Sequence, residues 1–214
     1  MEKVDAENIE SVAKLKPDLI ITYNTDENLK KMKKIAPTIA FDYAKHDYKE
    51  QHLELGKIVG KEEKAQKWVE DWEKKTKDDG QVIKDTIGSE ATVSIIKDFD
   101  KKIYVLGKTY GHGSEILYDS FGLKMPEKVE EATNENDLAD ISEEEIPEMV
   151  GDYVVTPVAK GADLSFENKS IWKNTEAVKN NNTFKVDEGI YWLNDPYSLE
   201  YQRKDLKEKL LNSK

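Results

Sequence analysis

Apolar residues in the first part of the chain alternate between helical spacing and unbroken runs. Helical spacing over Ile9–Leu15 ends at Pro17, and the run Leu19–Tyr23 that follows predicts a strand buried on both faces. A short helix over Glu27–Ile35 then precedes a second apolar run, Thr38–Phe41. Strand, helix and strand at this spacing predict a βαβ unit and a parallel sheet.

The next pattern predicts one long helix. A helical segment over Tyr48–Ile58 ends at Gly60, and apolar residues then recur at steps of three and four over Lys61–Ile87. A helix of about 26 residues is roughly 39 Å long, and Trp68 and Trp72 would share one stripe of it. Such a helix fits a strut between two lobes and an ordinary surface helix of one domain equally well.

Beyond the long helix the period changes to that of strands. The runs Ala91–Ile96 and Lys102–Leu106 predict a hairpin whose polar turn is Lys97–Lys101. A glycine-rich loop at 107–113 then leads into a predicted helix over Ser114–Phe121.

The remaining patterns predict an acidic loop and a second α/β segment. Residues Glu127–Asp140 are acidic and show no period, which predicts a mobile loop. Ser142 and Glu145 form a capping-box signature ahead of the apolar run Tyr153–Thr156. The chain then ends in a strand over Thr183–Val186 and a helix.

The start of the chain and its middle share a short pattern. Asp18 opens the first strand and Asp152 opens the Tyr153–Thr156 strand, and Glu10 and Glu144 stand eight residues before them. The match extends over only about fourteen residues in each half, so alone it is a weak sign of two related lobes.

Composition narrows the classes of protein. The chain has 214 residues, with 33 Lys and Arg against 44 Asp and Glu, and its net charge of −11 argues against a nucleic-acid surface. It contains no Cys, which excludes disulfides, thiolate metal sites and a cysteine nucleophile. Arg203 is the only arginine, so an anionic ligand cannot be clamped by several arginines. No apolar run reaches the roughly 18 residues of a membrane span.

The sequence contains no recognisable signature of catalysis. The tripeptide Gly107–Thr109 lacks the spacing of a phosphate-binding loop. The three histidines, His46, His52 and His112, form no HxxxH pair, so a zinc site is not predicted. No nucleophile-elbow motif occurs, and solvated charge explains the many carboxylates. We therefore predict neither an enzyme nor a metal bound by protein ligands.

Four aromatic residues stand at predicted strand ends and loops. They are Tyr43 after the second strand, Tyr104 in the hairpin, Tyr110 in the glycine-rich loop and Trp192 before the last helix. Ligands of α/β proteins bind at the carboxyl ends of strands, and rings with hydroxyl or indole donors suit a bulky, weakly charged ligand. Each ring alone fits packing equally well, and only their joint position favours binding.

Several segments resemble the substrate-binding proteins of iron–siderophore ABC importers, namely Ser11–Ile21, Leu55–Glu63 and Trp172–Lys179. Within that group the likeness is greatest to the ferric-hydroxamate-binding lipoproteins of Gram-positive bacteria. It is carried by Asp42–Tyr43, Asp100–Lys102, Asp195–Tyr197 and Arg203–Leu210. The resemblance covers essentially the whole chain.

The resemblance implies an α/β fold of two Rossmann-like lobes joined by one long helix. On this chain the N-terminal lobe would be residues 1–60, the linking helix 61–88 and the C-terminal lobe 89–214. Family members carry a lipoprotein signal, a lipidated Cys and several strands ahead of the Ile9 helix, so the first lobe is expected to be incomplete. We accordingly expect weak or no siderophore binding by this polypeptide alone.

The resemblance also implies a function outside the cytoplasm. Such proteins hold a ferric siderophore between their lobes, without ligating the iron themselves, and deliver it to a membrane permease. We therefore expect a ferric hydroxamate as cargo, an ABC permease as partner, a monomer, and an upstream lipid anchor that attaches the protein to the cell membrane. No cofactor is expected, because the iron arrives inside its siderophore.

The resemblance assigns candidate site residues as well. Tyr43, Tyr104, Tyr110 and Trp192 match ligand-lining positions, and close relatives carry Trp and Arg where this chain has Tyr110 and His112. His112 is able to donate one hydrogen bond to a hydroxamate oxygen, but it lacks the permanent charge and the fork of Arg. The glutamates noted above, Glu10 and Glu144, match exposed residues that dock to permease arginines.

Other functions remain open. The same fold also binds haem, cobalamin or carboxylate siderophores, although a single arginine disfavours the carboxylate ligands. A two-lobed α/β enzyme and a structural surface antigen belong to different classes, and no constellation of residues supports the enzyme.

Overall fold

The computed structural model describes residues 8–42 and 45–213. Its helices are α1 (Ile9–Lys14), α2 (Leu29–Met32), α3 (Tyr48–Ile58), α4 (Glu62–Ile87), α5 (Glu127–Thr133), α6 (Ile146–Met149), α7 (Ser170–Lys173), α8 (Glu176–Lys179), α9 (Glu188–Tyr191) and α10 (Pro196–Leu211). Its strands are β1 (Ile20–Tyr23), β2 (Thr38–Phe41), β3 (Val93–Phe99), β4 (Lys102–Leu106), β5 (Leu138–Ile141), β6 (Tyr153–Val158) and β7 (Thr183–Asp187). A π-helix at Glu115–Ser120 and a 3-10 turn at Glu143–Glu145 lie between them. The chain divides into two compact units, residues 1–69 and 70–214.

The first unit contains the βαβ motif that the sequence predicted. Strands β1 and β2 pair in parallel, with Ile20 opposite Thr38, and α2 connects them. The core beneath this pair is a small cluster of apolar side chains. It consists of Val12, Ile20, Met32 and Ala36, with Ile9 and Ile35 packed against it.

The prediction that β1 is buried on both faces was wrong. Ile20 is buried, whereas Ile21 and Tyr23 are 41% and 43% exposed. The reason is that α1 and α2 pack against the Ile20 side, through Val12 and Met32, and the described residues leave the opposite side accessible. An apolar run therefore marked a strand correctly but overstated its burial.

Helix α4 is the long helix that the apolar period predicted, with 26 residues. Its buried stripe is formed by Ala65, Val69, Trp72, Thr76, Asp79 and Ile83. The boundary between the two compact units falls inside this helix, after Val69. The three-part division into residues 1–60, 61–88 and 89–214 stays a prediction.

The second unit is organised around a mixed sheet with the strand order β5-β4-β3-β6-β7. Strands β3, β6 and β7 run parallel, whereas β4 is antiparallel to both β3 and β5. Helices and strands together confirm the α/β fold class. In the part of the chain that the structure describes, none of the helices has an apolar stretch of the length that a bilayer requires.

Two predictions in this unit were wrong, and the first concerns the hairpin. The predicted turn Lys97–Lys101 is shorter, because β3 continues to Phe99 and only Asp100 and Lys101 connect it to Lys102. Asp100 and Lys101 have φ angles of 50° and 62°, as a two-residue hairpin turn requires. Lys97 is thus a strand residue.

The second wrong prediction was the mobile acidic loop at Glu127–Asp140. This segment forms α5 and the edge strand β5. Val129 and Thr133 are buried on one side of α5, so two well-spaced residues suffice to attach a helix whose other positions, apart from one alanine, are charged. The capping box that follows is present as predicted, with the Ser142 N–H donating to Glu145 Oε2 at 2.8 Å.

The single arginine of the chain serves α4 and α10 rather than a ligand. Arg203 is buried and donates to both carboxylate oxygens of Glu200, from Nε and Nη2, at 2.9 Å each. Its Nη1 contacts Asp79 on α4, which also accepts from Lys207 Nζ at 2.6 Å. The bonds from Arg203 hold the pKa of Glu200 at about 2. We call Asp79, Glu200, Arg203 and Lys207 the arginine cluster.

Candidate ligand-binding site

A buried lysine and a buried histidine lie side by side above β3. Lys97 Nζ is 3.1 Å from His112 Nε2 and 2.5 Å from Glu188 Oε1. Lys97 is 8% exposed and His112 is fully buried. We call Lys97, His112 and Glu188 the lysine cluster.

His112 is neutral in this environment. Burial lowers its pKa to about 4, with a further lowering from the Lys97 ammonium and an opposing effect of the Glu188 carboxylate. A lysine ammonium has only donors, so Nε2 accepts from Lys97 and the ring proton lies on Nδ1. Nδ1 is buried and has no hydrogen-bond partner among the residues that the structure describes. The cluster therefore holds an unused donor, which is unusual for a buried polar atom.

The glycine-rich loop turns His112 inward through three successive positive φ angles. Gly111, His112 and Gly113 have φ of 90°, 56° and 90°. A Cβ at Gly113 would lie 3.1 Å from the ring of Tyr191, so this loop passes close over a buried aromatic residue. Histidine is among the few non-glycine types that adopt left-handed φ with some frequency.

Helix α9 brings Glu188 and Trp192 to the same place. Asp187 caps the helix by accepting from the N–H groups of Gly189 and Ile190 at 2.9 and 3.3 Å. Residues four apart share a helix face, so Glu188 and Trp192 stand one turn apart.

Helix α10 braces this short helix. The Gln202 side-chain amide on α10 donates to the carbonyl oxygens of Ile190 and Leu193 at 2.9 and 2.8 Å. The two carbonyls lie on either side of Trp192 in the chain, so α10 fixes the backbone that carries the indole.

Aromatic rings surround the lysine cluster. The ring centroids of Tyr110 and Trp192 are 6.2 and 5.1 Å from that of His112. Lys97 Nζ lies 5.7 Å from the centroid of Trp192 and 5.5 Å from that of Phe99, within the range of cation–π attraction. Trp192 and Phe99 are 60% and 62% exposed. The surface thus combines accessible apolar faces with polar groups just beneath them.

Tyr104 joins this surface through the sheet. It lies on β4 directly opposite Lys97, and Asp140 on β5 lies opposite Tyr104, so the three form one row across three strands. Asp140 is paired with Lys102. Tyr104 is partly exposed, which leaves its ring available beside the lysine cluster.

The structure brings together most of the predicted site residues. Tyr110, His112 and Trp192 are in ring contact, and Tyr104 is the cross-strand neighbour of Lys97. Tyr43 lies outside the described residues. The contact with a ligand stays a prediction for all of them. Across the described ranges no group of three or more His, Asp or Glu residues is placed to hold a metal ion.

Sequence reasoning missed Lys97, Phe99 and Glu188. Lys97 was assigned to the hairpin turn, and a lysine in a polar turn gives no sign of burial. Asp100–Lys101 forms the two-residue turn that extends β3 to Phe99, but this pair lacks the glycine that usually marks such a turn in a sequence.

The two predicted docking glutamates occupy similar local positions. Glu10 is exposed in the first turn of α1, and Glu144 is exposed in the 3-10 turn at Glu143–Glu145. Each therefore presents an exposed carboxylate near a helix start, and docking stays a prediction.

Comparison with known proteins places the chain among binding proteins. A family model described as periplasmic binding protein matches residues 3–189. Iron(3+)-hydroxamate-binding protein FhuD of Bacillus subtilis is 40% identical over 212 residues, which cover 96% of this chain and 67% of that protein. The probable siderophore-binding lipoprotein YfiY of the same organism is 30% identical over 203 residues, covering 86% of this chain and 60% of that protein.

A solved structure agrees closely with the fold described above. FhuD2 from Staphylococcus aureus with bound ferrioxamine B matches with a TM-score of 0.93 and 46% identity, covering 98% of this chain and 82% of that one. The resemblance drawn from the sequence is thereby confirmed. The chain spans about two thirds of the length of the curated relatives that it matches.

Proposed function

Because the chain belongs to the periplasmic binding protein family, we propose that it binds a ferric hydroxamate siderophore and delivers it to the permease of an ABC importer. Binding takes place outside the cytoplasmic membrane, and attachment is by a lipid, as the name of the lipoprotein relative suggests. Both relatives are named as binding proteins rather than as enzymes, which supports binding without catalysis.

The observation that carries this proposal is the lysine cluster beneath exposed aromatic rings. A ferric trihydroxamate has an uncharged core with oxygens at its surface and methylene chains around it. Trp192 and Tyr110 offer faces for the methylene chains. His112 Nδ1 offers a donor that lacks a partner among the described residues, and two of the three donors of Lys97 go to His112 and Glu188, which leaves the third for a ligand oxygen.

In this proposal the iron stays inside the siderophore. Hydroxamate oxygens complete its coordination, so the protein supplies hydrogen bonds and apolar contact rather than metal ligands. Selection then rests on the shape and the charge of the whole chelate.

A binding experiment tests the proposal directly. Equilibrium dialysis of the 214-residue chain against ferrioxamine B labelled with radioactive iron should show saturable binding, and this result would replace the expectation of weak or no binding that was drawn from the sequence. Trp192→Ala should weaken it by roughly tenfold, because an exposed ring of the site is lost. Tyr153→Ala is the matched control, since Tyr153 stacks on Phe184 at the start of β6 and away from the lysine cluster.

Two results would contradict the proposal. One is no binding of ferrioxamine B or ferrichrome at concentrations up to about 1 mM, a weak affinity of about 4 kcal/mol. The other is tighter binding of haem or cobalamin in the same dialysis cell, which would assign the surface to another chelate.

The docking of the loaded protein is tested separately. We propose that Glu10 and Glu144 pair with cationic residues of the permease. Replacing both glutamates by lysine should abolish iron uptake by cells that depend on this protein, with unchanged affinity for ferrioxamine B. Normal uptake by the double variant contradicts the docking role, and a monomer in solution is expected throughout.

A further inference from the structure

Lys97 and Glu188 form an ion pair directly beneath the aromatic surface. Their side chains are 10% and 27% exposed, and their charged atoms are 2.5 Å apart. Burial of an ion pair is costly, and a lysine that served only as a hydrogen-bond donor to a ligand oxygen would not need a carboxylate beside it.

The lysine cluster is electrically neutral as a whole. Lys97 contributes one positive charge and Glu188 one negative charge, while His112 is uncharged because burial lowers its pKa. On the neighbouring strands, Lys102 and Asp140 are paired with each other. The surface beneath Trp192 therefore carries balanced charge despite a buried lysine.

Removing either partner would expose the other charge to the ligand. A chelate resting on Trp192 lies within several ångströms of Lys97 Nζ, because the indole centroid is 5.7 Å from that atom. Two unit charges 5.7 Å apart change a binding constant by about threefold at the dielectric constant of water and by about a hundredfold at the effective value near a protein surface, so we take about tenfold as the effect on one chelate. The effect of one unpaired charge on the binding constant is thus large enough to decide between chelates of different charge.

We propose that Glu188 determines charge specificity: by neutralising Lys97 it lets the site accept neutral and cationic ferric hydroxamates and denies an advantage to anionic ferric chelates. The inference rests on the proposed function, since it concerns the ligand of the same surface. It assigns Glu188 a role distinct from that of the aromatic rings, which select apolar shape.

A matched set of ligands isolates charge from shape. Ferrioxamine B carries one free amine and is cationic at neutral pH. Acetylation of that amine gives a neutral chelate, and succinylation gives an anionic one, with the ferric hydroxamate core unchanged. The affinity of each chelate is measured by the same dialysis, and the readout is the ratio of the anionic to the cationic association constant.

Three variants make opposite predictions for that ratio. Glu188→Gln leaves Lys97 unbalanced and should raise the ratio about a hundredfold, because the anionic constant rises and the cationic constant falls by about tenfold each. Lys97→Met leaves Glu188 unbalanced and should lower it by a similar factor. The double variant should return the ratio to within about twofold of the wild-type value, because the two changes act on one pair. The neutral chelate should change least in every case.

Glu176→Gln is the control for net charge. Glu176 lines a groove of about 610 Å³ with Asp152 and Tyr153, at the start of β6. Val93 pairs with Tyr153 there, and Lys97 lies four residues further along β3, roughly 13 Å away at 3.3 Å per residue. This variant has the same total charge as Glu188→Gln and should leave the ratio unchanged.

A second readout needs no ligand. Trp192 is 60% exposed, Trp72 and Trp172 are buried, and Trp68 is partly exposed, so the part of the collisional quenching of tryptophan fluorescence that is lost in Trp192→Phe reports on the surface of the site. Glu188→Gln should increase quenching by iodide and decrease quenching by caesium ions, with acrylamide quenching unchanged. The difference should vanish in a Trp192→Phe background.

The outcomes separate this inference from the function on which it rests. Wild-type chain that binds none of the three chelates contradicts the proposed function. Wild-type binding with ratios that stay within about twofold in Glu188→Gln and Lys97→Met overturns the role of Glu188, given the tenfold effect that an unbalanced charge exerts. The role of Glu188 is also overturned if Glu188→Gln changes neither the quenching by iodide nor the quenching by caesium ions. This readout applies even if one variant loses affinity for every chelate.

Discussion

The arginine cluster and the lysine cluster both bury a cation against carboxylates within the second unit, yet they differ in what is left over. Around Arg203 each of the three guanidinium nitrogens has a partner: two donate to Glu200 and one to Asp79, and Lys207 contacts the same Asp79. The members come from α4 and α10, so the cluster ties two helices together.

Around Lys97 one buried polar atom is left without a hydrogen-bond partner among the described residues. His112 Nδ1 is buried without a partner in the described part of the chain, and the adjoining Trp192 is largely exposed. A satisfied cluster contributes to stability, whereas an unsatisfied one beside exposed rings is prepared for a ligand. Burial of charge alone does not distinguish the two roles, whereas a buried nitrogen without any partner among the described residues, His112 Nδ1, does.

The largest effect is expected from breaking the arginine cluster. Asp79→Ala leaves Arg203 and Lys207 without their shared carboxylate in a buried position. The free energy of unfolding should fall by about 3 to 5 kcal/mol, as measured by urea titration. Glu200→Gln, at a more exposed carboxylate, should cost about 1 kcal/mol or less. Equal losses in both variants would contradict the structural role assigned to Asp79.

The lysine cluster should affect how the free energy of unfolding depends on pH. The pKa of His112 is lowered from 6.5 to about 4, so the unfolded chain binds more protons than the folded chain between these values. Stability should therefore fall as the pH drops from 6.5 to 4, by about 3 kcal/mol at most. His112→Asn keeps a residue that tolerates left-handed φ and should remove this part of the slope.

Urea titrations of the wild type and of His112→Asn at several pH values check this prediction. Lys97 and Glu188 face the imidazole, and His52 also has a lowered pKa, so only the difference between the two proteins is assigned to His112. Parallel stability profiles between pH 6.5 and 4 would show that His112 does not titrate as described.

A substitution that changes no charge tests the packing of α4 next to the arginine cluster. Gly80 follows Asp79 on α4, and a Cβ there would overlap the backbone of Phe121. Gly80→Ala should lower the free energy of unfolding by about 2 kcal/mol, although helix propensity alone predicts a gain of about 1 kcal/mol. Asp78→Ala, on the exposed side of the helix, should stay within about 0.5 kcal/mol. Stabilisation by Gly80→Ala would mean that α4 does not approach Phe121 this closely.

The smallest effect on stability is expected at the ligand surface itself. Trp192→Ala removes a ring that is 60% exposed, so the free energy of unfolding should change by about 0.5 kcal/mol or less. The affinity for ferrioxamine B should nonetheless fall, as proposed above. A large loss of stability would make Trp192 a packing residue and would remove the contrast between the two clusters.

Patterns that depend on near neighbours predicted much of the fold. The period of α4, the βαβ order around Ile20 and the capping box at Ser142 are each decided within a few residues. Burial depends on distant parts of the chain, and this is why the exposure of Ile21 and the attachment of the Glu127–Asp140 segment were predicted wrongly.

The candidate site was predictable for its aromatic residues and not for its charges. Tyr110 and Trp192 follow from their places after strands and in loops. Lys97 and Glu188 are 91 positions apart in the sequence, and nothing local marks either as half of a buried pair. The single arginine was informative in another way, because its scarcity excluded an arginine clamp and the structure uses Arg203 elsewhere.

The left-handed turn at Gly111–Gly113 restricts how this protein can change during evolution. Its middle position has a φ of 56°, which only a few residue types tolerate and β-branched ones do not. Most substitutions at residue 112 are therefore excluded because they strain the backbone, whichever ligand the protein binds. A selection for new chelates should return glycine, asparagine or aspartate at this position far more often than isoleucine, valine or threonine, whatever the chelate offered.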